Sequence, residues 1–151
     1  MPQSLAQIYL HIVFSTKHRF PFLSDDGVRN EMHAYLGGVC NNLGCQVISV
    51  GGVADHVHIL CRLSRMVTVA KLLEEVKKNS SKWVKTKRSR LAKFAWQNGY
   101  GAFSVSQSQI ENVRRYIARQ EAHHRRQSFQ EEYLALLEKY ETTFDLKYLW
   151  D

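Results

Sequence analysis

The chain has 151 residues, of which 44% are hydrophobic and 11% aromatic. This composition is typical of a globular protein, and we expect residues 1–151 to form one domain with a buried core. No apolar run approaches the roughly 20 residues needed to cross a membrane, and residues 1–7 lack the basic and apolar regions of a signal peptide, so we expect a cytoplasmic protein. The net charge of +7 favours a polyanionic partner such as nucleic acid.

The first part of the chain predicts a strand followed by a helix. Residues 7–16 are rich in β-branched and aromatic side chains, which is typical of a strand buried on both faces. His11 lies in the middle of this strand, either as an ordinary core histidine or close to a metal site. Asp25 or Asp26 can cap a helix that ends near Leu43.

A pair of strands with two histidines comes next. Residues 46–50 and 56–63 predict strands joined through the glycines at 51–52. His56 and His58 are two apart, so both imidazoles project from the same face of the second strand. Such a pair can bind one divalent metal, although the same short pattern also occurs in ordinary buried histidines.

Basic side chains are concentrated in a long helix predicted over residues 68–87. An aromatic, glycine-bearing loop over 94–101 follows, and then a short strand over 102–106. A basic run is often only a solvated helix face, but a second such run lies beside the candidate metal ligands, which favours phosphate binding. The aromatic loop could stack unpaired bases. The lysines expected to contact DNA phosphates are Lys77, Lys78, Lys82 and Lys85.

Two more predicted helices complete the order of elements. Ser108 begins the first, and Glu111 three residues later would form a capping box with it. The second covers residues 128–140. The order β-α-β-β-α-β predicts the α+β class, with a ferredoxin-like fold, a mainly antiparallel sheet and an additional C-terminal helix.

The helix that begins at Ser108 carries a second group of polar side chains. Tyr116 and Gln120 are four residues apart and therefore share one face. By itself this pattern is also typical of a tyrosine that packs into the core. The arginines that surround the tyrosine, and that we also expect to contact DNA, are Arg114, Arg115 and Arg119.

Together, the histidine pair and the tyrosine are consistent with a metal-assisted phosphoryl-transfer reaction. A metal bound by His56, His58 and the Gln120 amide oxygen would withdraw charge from a DNA phosphate. Tyr116 could then attack phosphorus, although a phenol with a pKa near 10 is only about 0.1% ionised at neutral pH and needs cationic stabilisation. Mixed nitrogen and oxygen ligands suit Mg²⁺ or Mn²⁺, and the histidines would also accept Zn²⁺.

These two segments also carry a family resemblance. The His56-Val57-His58 strand and the later run from Tyr116 to His124 resemble the small HUH-superfamily single-tyrosine transposases of bacterial insertion sequences, the TnpA type. The resemblance spans nearly the whole chain. It extends to the segments at 12–17, 51–59, 99–106 and 147–150.

The resemblance implies a function and assigns residues to it. Such proteins cut and rejoin single-stranded DNA at hairpin-bearing element ends, making a 5′-phosphotyrosine link and leaving a free 3′-hydroxyl. Tyr116 would be the nucleophile, and His56, His58 and Gln120 would be the metal ligands. The resemblance also implies a homodimer, whose active sites can be shared between subunits. It assigns no role to His123 or His124, which could contact DNA or cover the site.

Two other functions remain open from the sequence. One is a former transposase that still binds structured single-stranded DNA or RNA without cutting it. The other is a small metallohydrolase that uses the histidine pair. A histidine-triad hydrolase would need a third histidine where this chain has Leu60, and a cupin would need an all-β pattern, which the predicted helices contradict.

Overall fold

A four-stranded antiparallel sheet organises the protein. The computed structural model describes residues 2–151. The strands lie in the order β2-β3-β1-β4, and each neighbouring pair is antiparallel. This confirms the predicted α+β class and the ferredoxin-like βαββαβ arrangement. The strands are β1 (Tyr9–Ser15), β2 (Val47–Val53), β3 (His56–Arg62) and β4 (Gly101–Val105).

Five α-helices lie within the described residues. The Asp25 side chain caps α1 by accepting the Val28 N–H at 3.0 Å, and Thr68 caps α2 by accepting the Lys71 N–H at the same distance. Within residues 2–151, none of the helices is long and apolar enough to span a bilayer. The helices are α1 (Asp26–Asn42), α2 (Val69–Val84), α3 (Ile110–Ala118), α4 (Gln120–His123) and α5 (Phe129–Lys139).

The alternation of side chains along β3 separates the core from the site. Val57, Ile59 and Cys61 face the large apolar cluster that α1 and α2 complete. His56 and His58 point to the opposite face, which α3, α4 and α5 cover. Both faces of the sheet are therefore buried, and the polar site lies under the C-terminal helices.

The predicted capping box at Ser108 is wrong. Ser108 lies in a 3₁₀ turn over Gln107–Gln109, and its hydroxyl is 3.2 Å from that of Ser106. The helix starts only after this turn, and no side chain caps its N-terminus. The capping box forms instead on α5, where the Ser128 hydroxyl accepts the Glu131 N–H and the Glu131 carboxylate accepts the Ser128 N–H.

The single helix predicted through Tyr116 and Gln120 is interrupted. At Arg119 the backbone leaves the helical region (φ −101°, ψ 17°), and its N–H bonds to the Tyr116 carbonyl at 3.2 Å as in a tight last turn. The short helix α4 begins at the next residue. Beyond this break the Gln120 amide oxygen lies 3.0 Å from His56 Nε2, and before it the Tyr116 ring lies 5.7 Å from the ring of His58.

Candidate active site

The central strand β3 presents the histidine pair. β3 lies between β2 and β1, and His56 and His58 are both fully buried. The centroids of the two imidazole rings are 5.2 Å apart. An interior strand hydrogen-bonded on both sides is rigid, so the spacing of the two rings is well defined.

Each imidazole of the pair has an outer hydrogen-bond partner. His56 Nδ1 lies 2.7 Å from the Asp55 carboxylate, and His58 Nδ1 lies 2.8 Å from His11 Nε2. Such partners fix the orientation and tautomer of metal-binding histidines. His11, for which the sequence left two interpretations, thus supports the site directly. Both remaining Nε2 atoms point towards the C-terminal helices.

The environments of these histidines set different protonation states. Burial opposes the charged form of His56, but the hydrogen bonds that it donates to the carboxylates of Asp55 and Glu132 outweigh burial and raise its pKa to about 9. Burial lowers the pKa of His58, and burial together with His58 lowers the pKa of His11 to about 3. At neutral pH, the site therefore combines one cationic imidazole with two neutral ones.

Glu132, on α5, is the centre of the site and is absent from the sequence predictions. Its Oε1 lies 3.0 Å from His58 Nε2, 3.2 Å from His56 Nε2 and 3.0 Å from His124 Nε2. Burial opposes the ionised carboxylate, but the three histidines hold its pKa well below the usual range. One sequence signal points to it: Glu132 lies within the buried face of α5, between Phe129, Tyr133 and Leu136, where an acidic residue is rare unless paired.

The other oxygen of Glu132 faces the tyrosine. Oε2 accepts a short hydrogen bond from the Tyr116 hydroxyl and a 3.1 Å bond from Gln120 Nε2. The amide oxygen of Gln120 lies 3.0 Å from His56 Nε2. Burial and Glu132 raise the pKa of Tyr116 above its ordinary value, which keeps the phenol protonated. Tyr116, Gln120 and the histidine pair are thus brought together as the sequence predicted, within one chain.

A close contact between α3 and β2 brings the tyrosine to this position. A Cβ atom added at Gly51 would lie 2.7 Å from both Cγ2 and the carbonyl oxygen of Ile117. Because Ile117 follows Tyr116 directly, the absence of a side chain at Gly51 allows the backbone of α3 to approach the strand that pairs with His58.

The converging side chains fit a divalent metal. Ligand atoms of His56, His58, His124 and Glu132 all lie within 4.8 Å of one another. Imidazole nitrogens and a carboxylate oxygen are a common donor set for divalent metals. His124, to which the sequence assigned no role, belongs to this group. The ring of His123 lies farther out, with Nε2 3.5 Å from the Tyr116 hydroxyl.

The side chains predicted to contact DNA lie in two regions. α2 is on the opposite side of the sheet from Tyr116, and its Lys78 also pairs with Glu75 at 3.1 Å. On α3, Arg114 pairs with Glu111 at 3.4 Å. The exposed residues of the predicted set are Lys78, Lys82, Lys85, Arg114, Arg115 and Arg119.

Lys77 differs from this exposed set. Its ammonium donates to the carbonyls of Gln97, Asn98 and Gly99 at 2.9, 3.1 and 2.6 Å. Burial lowers its pKa to about 8. All three protons of the ammonium are used to hold the loop before β4, so Lys77 fixes that loop and is not free to bind phosphate while these bonds last.

Two solved structures have folds similar to that of this protein. The fold is similar to that of a protein from Deinococcus radiodurans described as a transposase, with a TM-score of 0.62, 18% identity, and coverage of 80% of this chain and 95% of that one. It is also similar to a REP-associated tyrosine transposase bound to a REP hairpin, with a TM-score of 0.60, 12% identity, and coverage of 82% and 73%. No curated protein matches the sequence.

The sequence itself matches one family over most of its length. Residues 4–120 match the family described as "Transposase IS200 like", and this range contains His56, His58, Tyr116 and Gln120. The match confirms the resemblance found in the sequence, and the chain belongs to the family of IS200-like transposases.

Proposed function

We propose that this protein cuts and rejoins single-stranded DNA at insertion-sequence ends, through a metal-assisted attack by Tyr116 and a 5′-phosphotyrosine intermediate. The observation that carries the proposal is the buried contact of the Tyr116 hydroxyl with Glu132, in the same cluster as the imidazoles of His56 and His58. A structural tyrosine would not require a histidine and carboxylate cluster at its hydroxyl.

The proposed metal is Mg²⁺ or Mn²⁺. His56, His58 and the Gln120 amide oxygen would bind it, as the family resemblance implies, and His124 and Glu132 offer further donors in the same cluster. When bound, the metal supplies positive charge that polarises the phosphate and stabilises the charge of the transition state.

The reaction itself is a displacement at phosphorus. The Tyr116 oxygen forms a bond to the phosphate, and the bond from phosphorus to the 3′-oxygen of the preceding nucleotide breaks. The phenolic proton passes to Glu132 Oε2, which already accepts it in a hydrogen bond, and the leaving oxygen takes up one proton from solvent to become a 3′-hydroxyl. Rejoining is the reverse step with another 3′-hydroxyl, so the energy of the linkage is conserved and no ATP is needed.

Without metal and DNA, Tyr116 is protonated and is therefore a weak nucleophile. The lowered pKa of Glu132 and the raised pKa of Tyr116 both keep the proton on the tyrosine. Ionisation of Tyr116 therefore requires additional positive charge near its oxygen. We propose that cleavage starts only when metal and DNA are both bound.

An arginine-rich surface beside the site is the proposed entry for DNA. Arg119, Arg125 and Arg126 line a surface depression together with His123, whose ring reaches Tyr116. A solved neighbour of similar fold is bound to a REP hairpin, and we propose that this protein also binds hairpin-bearing single-stranded DNA. We further propose a homodimer, as the resemblance implies. The exposed lysines of α2 would contact DNA that extends around the protein.

The test is formation of a covalent adduct. Incubated with a single-stranded element end and Mg²⁺ or Mn²⁺, the wild-type protein should form an SDS-resistant protein–DNA adduct, and Tyr116→Phe should form none. Tyr100→Phe is the matched control, since Tyr100 is an exposed tyrosine of the loop before β4. Absence of an adduct in the wild type would leave a non-cleaving DNA binder as the function, whereas an equal yield from Tyr116→Phe would show that another residue is the nucleophile.

A further inference from the structure

A cleft of about 780 Å³ opens beside the Tyr116 hydroxyl. β1 and β4 form its floor through His11 and Val105, and α3 and α5 form its walls. Tyr116 and Glu132 lie among the residues that line it. The volume is within the range of pockets that bind small ligands, roughly 300–1,000 Å³. Any group held here is next to the nucleophile.

The lining of the cleft matches the chemistry of a nucleobase. Val113 of α3 and Leu136 of α5 supply apolar surface. Gln109 and Asn112 supply amide groups that are exposed to solvent. Flat aromatic rings with hydrogen-bonding edges bind in pockets of this kind, and a base must be unpaired and unstacked to enter one.

A cation also lines the cleft. The exposed Lys139 ammonium lies 5.6 Å from the centre of the Tyr140 ring, and both residues belong to the cleft lining. The cleft therefore combines a nucleophile for one phosphate with a positive charge for another. A nucleotide within a DNA strand has a phosphate on each side of its sugar, which is the ligand that this pairing fits.

We propose that the cleft binds the unpaired base and sugar of the nucleotide whose 5′-phosphate Tyr116 attacks, with Lys139 beside the 3′-phosphate of that nucleotide. The inference rests on the proposed function. When the bond from the Tyr116 oxygen to phosphorus forms, this nucleotide stays attached to the protein. The nucleotide on the other side leaves with its 3′-hydroxyl. The cleft would thus bind the retained strand and contribute to the choice of cleavage position.

The test fills the cleft and reads the base directly. Ala135 lines the cleft from α5 and is exposed, so Ala135→Phe adds volume there without disturbing the core. Leu134→Phe is the matched control, because Leu134 is an exposed neighbour on the same helix and is not part of the cleft. Both changes are made in Tyr116→Phe protein, so that the DNA stays intact, and the probe is a single-stranded oligonucleotide with 2-aminopurine at the nucleotide 3′ of the scissile phosphate.

Binding should change the fluorescence of this probe, and Ala135→Phe should abolish the change and weaken binding about tenfold, whereas Leu134→Phe should do neither. Lys139→Ala should lower the salt slope of binding by about 0.7. The proposal is overturned if Ala135→Phe changes only a probe placed 5′ of the scissile phosphate, or if it weakens binding equally when the 3′ nucleotide lacks its base. The adduct formed by wild-type protein defines the scissile phosphate, and the fluorescence is then read without cleavage. A failure of the cleft proposal therefore leaves adduct formation intact and is distinguishable from a failure of the proposed function.

Discussion

Gly51 offers a direct test of how the tyrosine is positioned. In Gly51→Ala, the new Cβ would lie 2.7 Å from the Ile117 carbonyl oxygen and from Ile117 Cγ2, which is closer than real Cβ atoms approach other groups. One of these contacts is backbone, so no rotamer change relieves it and α3 must move away from β2. Overpacking of this kind costs about 1–3 kcal/mol of unfolding free energy.

The larger effect is expected on the reaction. A displacement of about 1 Å at a reacting group can cost roughly 100-fold in rate, so the rate of adduct formation should fall by about that factor while metal binding at His56 and His58 changes little. Gly38→Ala is the control, since nothing lies within 4 Å of the added Cβ on the exposed side of α1. Urea unfolding and single-turnover adduct formation give the two quantities. Restoration of the Gly51→Ala rate by Ile117→Ala would refute the reasoning, because removing that side chain leaves the carbonyl clash in place.

Three further predictions concern the charges of the site. The raised pKa of His56 predicts a contribution to stability that is fully present below about pH 6.5 and is lost as the pH rises through about 9. Urea titrations should therefore show the unfolding free energy falling between these pH values, and falling less steeply in Asp55→Asn. Equal slopes in the two proteins would contradict the assignment. His11→Leu removes the partner of His58 Nδ1 and should weaken Mn²⁺ binding roughly 10- to 100-fold by calorimetry, with unchanged affinity as the contrary result. Lys77→Met should lower the unfolding free energy but leave the salt slope of DNA binding unchanged. Lys82→Ala should instead reduce that slope by about 0.7 to 0.9. A lower slope in Lys77→Met would show that the Lys77 ammonium does reach phosphate.

The sheet and the histidine pair could be predicted because their signals are local. Polar and apolar residues alternate from His56 to Ile59, and the two-residue spacing of His56 and His58 determines a shared face without knowledge of any other element. The order of strands and helices then limits the topology to very few arrangements. The roles of Tyr116 and Gln120 were assigned through the family resemblance, because their four-residue spacing alone is also typical of a core tyrosine and the helix that would place them on one face is broken at Arg119.

The remaining features depend on contacts between distant segments. Glu132 contacts the histidines only because α5 packs across the sheet, 74 residues after His58, and its place on a buried helix face does not indicate which groups it would meet. The break at Arg119 accompanies the contacts of Tyr116 and Gln120 with Glu132 Oε2, and helix propensity does not encode such long-range contacts. Lys77 differs from its neighbours because the loop at 97–99 lies over it, and no pattern within α2 records that loop.

The strand that carries the histidine pair and the helices that carry Tyr116 and Gln120 differ in the free energy needed for local unfolding. His56 and His58 lie on an interior strand whose amides are paired on both sides, and such amides exchange with solvent slowly, at a free energy close to that of global unfolding. Tyr116 and Gln120 lie on two short helices separated by a non-helical residue, a type of element that opens locally at much lower cost. Hydrogen exchange would therefore show the tyrosine segment detaching while the histidine pair keeps its geometry, so the nucleophile can leave and return without dismantling the ligands.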